Sequence, residues 1–210
     1  MQKKHIITIS GKPGSGKSST ADKVAELLGY TRHSSGDIVR TILAKKKMSL
    51  EEYNAQAETN HNLDAKVDEQ LRELRESKDI IVDSRLGFYW IPESFKVYLD
   101  LDLDIATARI FKDTVSNSMR SAVGTSSSSL SDVSKQVKER MQNEQMRFKK
   151  MYNVDPYNSN NFDLVIDTSR QNPQSVAIAV FDTYREWLDS EVWEKRRNEV
   201  PMGYSYKNQY

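Results

Sequence analysis

The sequence contains no cysteine, which excludes disulfide-stapled scaffolds and cysteine-ligated zinc sites. It also lacks an apolar run near the ~18 residues of a membrane span, and the apolar stretch after residues 1–5 is too short for a signal peptide. Neither sign of charge is in excess, because 31 basic residues face 30 acidic residues. A dedicated nucleic-acid binder normally carries a strong basic excess. We therefore expect a soluble, cytoplasmic protein that binds neither nucleic acid nor a membrane.

Residues 11–18 read G-K-P-G-S-G-K-S, a complete G-x-x-x-x-G-K-[ST] phosphate-binding loop. A predicted strand at residues 6–9 precedes it, and a predicted helix at residues 19–28 follows it. Glycines let consecutive backbone N–H groups turn inward around phosphate oxygens, and the helix N-terminus adds its positive dipole end. The loop is predicted to bind a nucleoside triphosphate through Gly11, Lys12, Pro13, Gly14, Ser15, Gly16, Lys17, Ser18 and Ser19. We expect Lys17 at the β- and γ-phosphates and the Ser18 hydroxyl on Mg²⁺.

The rest of the chain alternates short apolar strands with helices. Strands are predicted at residues 79–83, 95–99 and 162–166, with a further short one before Ser35. Helices are predicted at residues 37–47, 50–58, 64–76, 105–113, 132–152 and 173–189. This alternation predicts an α/β fold in three layers, in which helices cover both faces of a parallel five-stranded sheet. In such sheets ligands bind at the carboxyl ends of the strands.

Three stretches depart from this alternation. Residues 36–77 read as an all-helical insertion. Residues 114–131 include a serine-rich run that is either a flexible surface linker or the tip of a moving lid. Residues 191–210 read as a polar tail with four aromatic residues, which either packs against a neighbour or is disordered.

Three clusters add chemistry to the phosphate loop. Ser35 and Arg40 offer a hydroxyl and a bidentate fork to an anion, although a capped helix with a surface arginine would look the same. Asp83 ends a predicted strand where an acid would meet a nucleotide's Mg²⁺, and Arg85 leaves the same strand end. The third cluster lies on one face of the helix at 132–152, because its members are spaced i, i+4, i+7: Arg140, Glu144 and Arg147.

These clusters favour phosphoryl transfer between two phosphates. The transferred group and its acceptor must lie in line with their negative charge neutralised, so several guanidinium groups must converge from both sides. Arg109 is a further candidate cation. A GTPase switch is disfavoured because the chain has no [NT]-K-x-D motif and spaces residues 83–87 as D-x-x-x-G. A nucleotide-binding regulatory protein that has lost catalysis remains an alternative.

The motifs, in this order, resemble those of nucleoside monophosphate kinases, and most closely the short cytidylate kinases typical of archaea and some bacteria. Residues 35–40 are similar to S-[AG]-[DE]-x-x-R, and residues 83–86 to [DE]-[GS]-R-L. Residues 48–64 resemble the helical insertion of that family, and residues 140–155 resemble R-x-x-x-D-x-x-R-Y-x-x-L-Y-G-I-D. Four positions depart from the pattern: Lys112, Glu144, Phe148 and Asn153.

The resemblance implies a P-loop kinase domain over residues 1–190, with a nucleoside-monophosphate-binding insertion at 36–77, a helical lid at 109–150 and a C-terminal tail at 191–210. It implies a monomer that transfers the γ-phosphate of ATP to CMP or dCMP with Mg²⁺, with UMP, AMP or another small acceptor as the alternative. The implied catalytic residues are Lys17, Arg85, Arg109 and Arg147, and the implied metal ligands are Ser18 and Asp83. The implied acceptor-binding residues are Ser35, Arg40, Arg85, Arg140, Glu144 and Arg147.

Overall fold

The predicted strands all belong to one parallel sheet. A computed structural model describes residues 3–48, 62–116 and 129–197, and the structural statements below refer to these residues. The strands lie in the order β2-β3-β1-β4-β5-β6, and every neighbouring pair is parallel. Their bounds are Ile6–Gly11 for β1, Thr31–Ser34 for β2, Ile80–Asp83 for β3, Phe95–Asp100 for β4, Leu164–Asp167 for β5 and Arg196–Arg197 for β6.

The helices follow the predicted periodicity, with bounds that shift by a few residues. They are α1 (Lys17–Leu28), α2 (Ser35–Lys46), α3 (Asn62–Glu73), α4 (Gly87–Trp90), α5 (Leu103–Ser116), α6 (Leu130–Tyr152) and α7 (Pro173–Asp189). Short 3₁₀ turns occupy Leu74–Glu76 and Ser159–Asn161. The helix predicted at 50–58 and the serines at 126–128 lie outside the described residues. None of the helices in the described ranges has the length and apolarity needed to span a membrane.

Local capping explains where the main helices begin and end. The Ser34 hydroxyl accepts a hydrogen bond from the Asp37 N–H, so α2 begins two residues earlier than the apolar pattern indicates. Ser129 caps α6 in the same way. At the other end of α6, Asn153 adopts a left-handed conformation (φ 55°), and its N–H bonds to the Lys149 carbonyl. The asparagine that departs from the family pattern therefore still performs the C-terminal cap for which glycine is usual.

Helices cover both faces of the sheet, as the α/β prediction requires. On one face α1 and α7 bury a continuous apolar core against β1, β4 and β5, including Val24, Val180 and Trp187. On the other face α3 packs over β1 and β3 through Val67 and Leu71. The aromatic side chains of α4 and the end of α6 complete that face. The predicted three-layer α/β fold is confirmed.

The sheet has six strands, so the predicted number of five is wrong. The extra strand, β6, pairs its two residues with Leu164 and Val165 of β5, and the Arg196 N–H bonds to the Asp163 carbonyl. Two arginines carry no alternating apolar pattern, so this strand leaves no signal in the sequence. Just before it, Trp193 packs against the main core, with its ring centroid 5.9 Å from that of Phe95. The first residues of the predicted tail thus pack on the chain's own sheet.

We predict that Gly11→Ala destabilises the fold much more than Gly29→Ala does. Both glycines have positive φ angles, of 150° and 69°. A Cβ at residue 11 would lie 2.3 Å from the Leu99 carbonyl oxygen of the neighbouring strand, whereas one at residue 29 meets nothing within 4 Å. The control variant, Gly29→Ala, therefore suffers only backbone strain of about 1–2 kcal/mol. Urea unfolding measures both changes, and equal losses of stability would contradict the close approach of β1 and β4.

Candidate active site

The phosphate loop links the end of β1 to the start of α1. Gly14 and Gly16 have φ angles of 75° and 83°, which residues other than glycine rarely adopt. Gly16 is the N-cap of α1 and has no side chain, so the first N–H groups of the helix face the loop rather than a capping oxygen. The Ser15 hydroxyl is buried and has no hydrogen-bond partner within the part of the chain that the structure describes. These donors suit a phosphate group.

Two lysines of the loop have defined partners. Lys12 Nζ forms an ion pair of 2.7 Å with Asp100 Oδ1 and donates to the Leu101 carbonyl, which anchors the loop to the end of β4. Lys17 Nζ donates to the carbonyl oxygens of residues 11 and 12, at 3.1 Å each, so its side chain folds over the loop itself. Its ammonium group therefore lies at the place where a bound polyphosphate would enter the loop.

The electrostatics of Lys17 show which other residues share its cleft. Burial lowers the pKa of Lys17 to about 7, and the positive charges of Arg85 and Arg140 act in the same direction. The carboxylates of Asp83 and Glu144 oppose this effect. Side chains from the end of β3 and from the middle of α6 thus act on the lysine of the phosphate loop. The structure brings together residues that are more than a hundred positions apart in the sequence.

Ser18 and Asp83 meet at the start of α1. Ser18 Oγ donates to Asp83 Oδ2 at 2.8 Å, and the Asp83 side chain is only 6% exposed. A hydroxyl and a carboxylate are the hard oxygen donors that Mg²⁺ prefers, together with phosphate oxygens and water. The pair therefore fits a magnesium ion held between the loop and the end of β3. Arg32 of β2 also contacts Asp83 Oδ2, at 2.8 Å.

A second charged cluster joins β3 to α6. Arg85 Nε forms an ion pair with Glu144 Oε2, and the two side chains are 19% and 12% exposed. The other oxygen of Glu144 accepts from Arg140 Nε at 3.1 Å, and the Tyr157 hydroxyl donates to Oε2 at 2.5 Å. Burial by itself would raise the pKa of Glu144, but the charges of Arg85 and Arg140 outweigh it and hold the pKa at about 2. This carboxylate stays ionised between its cationic partners.

Ser35 and Arg40, which are predicted to bind the acceptor, lie in the first turns of α2. Ser35 Oγ donates to the Asp83 backbone carbonyl at 3.4 Å, which places this hydroxyl beside the end of β3. Arg40 is 60% exposed along its side chain and pairs with Asp37 on the same helix. The structure thus places Ser35 at the cleft and Arg40 one turn away, paired with an acid.

Two further predicted arginines have contacts elsewhere. Arg109 Nη2 donates to the carbonyl oxygens of Thr168 and Ser169, at 2.8 and 3.3 Å, in the loop after β5. The Arg147 guanidinium lies 5.0 Å from the centroid of the Phe148 ring. The roles predicted for both arginines in phosphoryl transfer stay predictions, because these contacts do not test whether either side chain reaches a phosphate.

Sequence reasoning missed two residues of the site. Arg32 contacts Asp83, and Tyr157 contacts Glu144. Arg32 lies two positions before the N-cap Ser34 on a strand predicted only in passing, so its charge could have been noted there. Tyr157 lies in the loop after α6, and no local pattern marks it.

The chain matches the sequence model of the cytidylate kinase-like family over residues 6–170. A cytidylate kinase from Methanobrevibacter smithii is 32% identical over 181 residues, which cover 86% of this chain and 98% of that protein. A cytidylate kinase from Natronomonas pharaonis is 34% identical over 178 residues, which cover 83% and 86%.

Among solved structures, a shikimate kinase from Acinetobacter baumannii in complex with shikimate has a similar fold. The TM-score is 0.57 at 12% identity, over 90% of this chain and 97% of that one. At so low an identity the likeness shows a shared fold and carries no information about the acceptor.

We predict that Lys17 titrates near neutral pH in the ligand-free protein. With a pKa of about 7 it is half deprotonated, and therefore reactive toward amine reagents, near pH 7. Competitive amine labelling across pH, followed by peptide mass spectrometry, measures this directly. Arg85→Met should raise the pKa, because it removes a positive charge that lowers it. Arg75→Met, on a surface arginine paired with Glu93, should leave it unchanged. Half-reactivity in the ordinary lysine range would contradict the predicted burial and charge environment.

Proposed function

Since the chain belongs to the cytidylate kinase-like family, we propose that it transfers the γ-phosphate of ATP to CMP or dCMP, giving ADP and CDP or dCDP. The observation that carries this proposal is the convergence of Lys17, Arg85 and Arg140 on one cleft at the carboxyl ends of the strands. Such cations can neutralise two phosphate chains that must approach each other in line.

On the donor side, the loop N–H groups and the start of α1 would bind the ATP phosphates. Lys17 would leave the two loop carbonyls and turn to the β- and γ-phosphates, whose negative charge raises its pKa and keeps it protonated. Arg109 would contact the phosphates during transfer once it leaves the loop after β5. The unpartnered Ser15 hydroxyl supports a ligand at this loop.

We propose Mg²⁺ as the metal, held by the Ser18 hydroxyl and the Asp83 carboxylate. When bound, Mg²⁺ neutralises charge on the donor phosphates and orients them. The support is the 2.8 Å contact between these two oxygen atoms beside the loop. The backbone carbonyl of Asp83 also accepts a hydrogen bond from the Ser35 hydroxyl, so the proposed metal site adjoins the proposed acceptor site.

On the acceptor side, Arg85 would bind the phosphate of the nucleoside monophosphate. In the ligand-free protein Glu144 is its counter-ion, and an acceptor phosphate would share the guanidinium with this carboxylate or replace it. Arg140 and Arg147 would contact the acceptor from α6, and Ser35 and Arg40 from α2. Arg40 would have to release Asp37 to do so.

The identity of the base rests on the family rather than on a described contact. UMP, AMP or another small acceptor is therefore the alternative to cytidylate. Action as a cytoplasmic monomer stays a prediction, as do the insertion at 36–77 and the lid at 109–150.

We predict that CMP and dCMP are phosphorylated faster than UMP, AMP or GMP when ATP and Mg²⁺ are supplied. A coupled assay of ADP formation across these five acceptors measures the preference. Lys17→Ala should lower turnover about 10²–10³-fold, because it removes a charge that stabilises the transition state. The matched control is Lys23→Ala, on a half-buried lysine of α1 outside the loop, which should leave turnover unchanged. Rapid use of AMP without use of either cytidine nucleotide would reject the proposed acceptor and leave the fold assignment intact.

Arg85→Ala should weaken use of the acceptor more than binding of ATP. We expect kcat/KM for CMP to fall about 10²–10³-fold, while the dissociation constant of ATP measured by calorimetry changes little. Arg75→Ala, which removes an arginine remote from the cleft, is the control. A variant that loses ATP binding but keeps its CMP kinetics would place Arg85 on the donor side instead.

A further inference from the structure

Arg32 places a permanent positive charge beside the proposed magnesium site. Its Nη2 lies 2.8 Å from Asp83 Oδ2, the same oxygen that accepts the Ser18 hydroxyl. The contact is largely sheltered from water, since the two side chains are 19% and 6% exposed. A guanidinium and a metal ion would therefore compete for one carboxylate.

The same guanidinium reaches two more acids on two other elements. Its Nη1 lies 3.3 Å from Asp22 Oδ1 on α1 and 3.9 Å from Asp37 Oδ2 on α2. Its Nε is buried and lacks a hydrogen-bond partner among the residues that are described. Arg32 thus has one short hydrogen bond, to Asp83, and two longer ionic contacts, to Asp22 and Asp37. A small displacement of its guanidinium would strengthen the contact with either of these two acids.

Asp37 extends this connection to the proposed acceptor side. While its Oδ2 faces Arg32, its Oδ1 pairs with Arg40 Nη2 one turn further along α2. A continuous series of alternating charges therefore runs from the metal site to the acceptor helix: Asp83, Arg32, Asp37 and Arg40. Arg32 and Asp37 each have a partner on both sides. A change at one end of the series therefore alters the strength of the next ion pair.

We propose that Arg32 is a positioning residue that couples metal binding to acceptor binding. If Mg²⁺ binds Asp83, the carboxylate attracts Arg32 less strongly, and the two cations repel each other. Arg32 then shifts toward Asp22 and Asp37, and Asp37 holds Arg40 less tightly. Arg40 becomes available for an acceptor phosphate. Because coupling between two binding sites is reciprocal, a bound acceptor strengthens metal binding by the same factor.

The inference rests on the proposed function for its metal site and for the identity of the acceptor. The metal part is therefore tested without one, by calorimetric titration of Mg²⁺ into protein saturated with ADP. Arg32→Met should bind Mg²⁺ severalfold more tightly than the parent protein, since a competing cation is gone. Arg32→Lys keeps the charge but not the two-pronged fork, and should lie between them. Arg75→Met is the matched control and should leave the affinity unchanged. Unchanged or weaker Mg²⁺ binding in Arg32→Met would overturn the competition.

The coupling is tested by titrating CMP into protein saturated with ADP, once with Mg²⁺ and once without it. In the parent protein we expect CMP to bind about fivefold or more tightly when Mg²⁺ is present, and in Arg32→Met we expect this factor to fall toward one. An undiminished factor in Arg32→Met would overturn the coupling.

A second variant guards against a folding defect in Arg32→Met, which thermal unfolding would reveal. Asp37→Asn removes the shared acid and leaves the Arg32–Asp83 contact in place. It should tighten CMP binding in the absence of metal and abolish the coupling, and a retained coupling would overturn the proposal. If no acceptor nucleotide binds at all, the proposed function fails, whereas the Mg²⁺ titration still decides on the competition at Asp83.

Discussion

Cations gathered in one cleft need counter-ions, and two largely buried carboxylates, Asp83 and Glu144, supply them here. Asp83 holds Arg32 and the Ser18 hydroxyl, and Glu144 holds Arg85 and Arg140. Without these acids the guanidinium groups would repel one another in a sheltered site, where charge is expensive to desolvate. Lys17 shows the balance, because burial and the nearby arginines bring its pKa down to about 7. Under the proposed function, a bound phosphate would share these cations with the two carboxylates or replace the carboxylates as their counter-ion.

The parallel sheet is what brings these charges together. β1, β2 and β3 run in the same direction, and their registers set Ser34 beside Asp83 and Ile9 beside the same residue. Their carboxyl ends consequently open on one edge of the sheet, where the phosphate loop and helix α2 begin and where Arg85 lies. α6 then crosses to this edge, and its buried Val133, Val137 and Phe148 fix the face that carries Glu144.

Three of the four departures from the family pattern have local physical explanations. Asn153 replaces a glycine but adopts the same left-handed cap, which asparagine tolerates better than most residues. Glu144 replaces an aspartate, and its carboxylate contacts Arg85, Arg140 and Tyr157 at once. Tyr157 thus supplies a hydroxyl to the charged cluster, at a chain position different from that of the tyrosine which Phe148 replaces.

The amino-acid sequence by itself determined the phosphate loop, the α/β alternation and the family, because each is written in contiguous residues or in local periodicity. It also indicated Asp83, Arg85 and Glu144 as parts of one site, since strand ends and one helical face are predictable. Only the tertiary structure decided which charges pair. The contacts of Arg32 with Asp83 and of Tyr157 with Glu144, and the two-residue strand β6, all depend on how distant elements pack. Such pairings are set by distances across space, and no period along the chain encodes them.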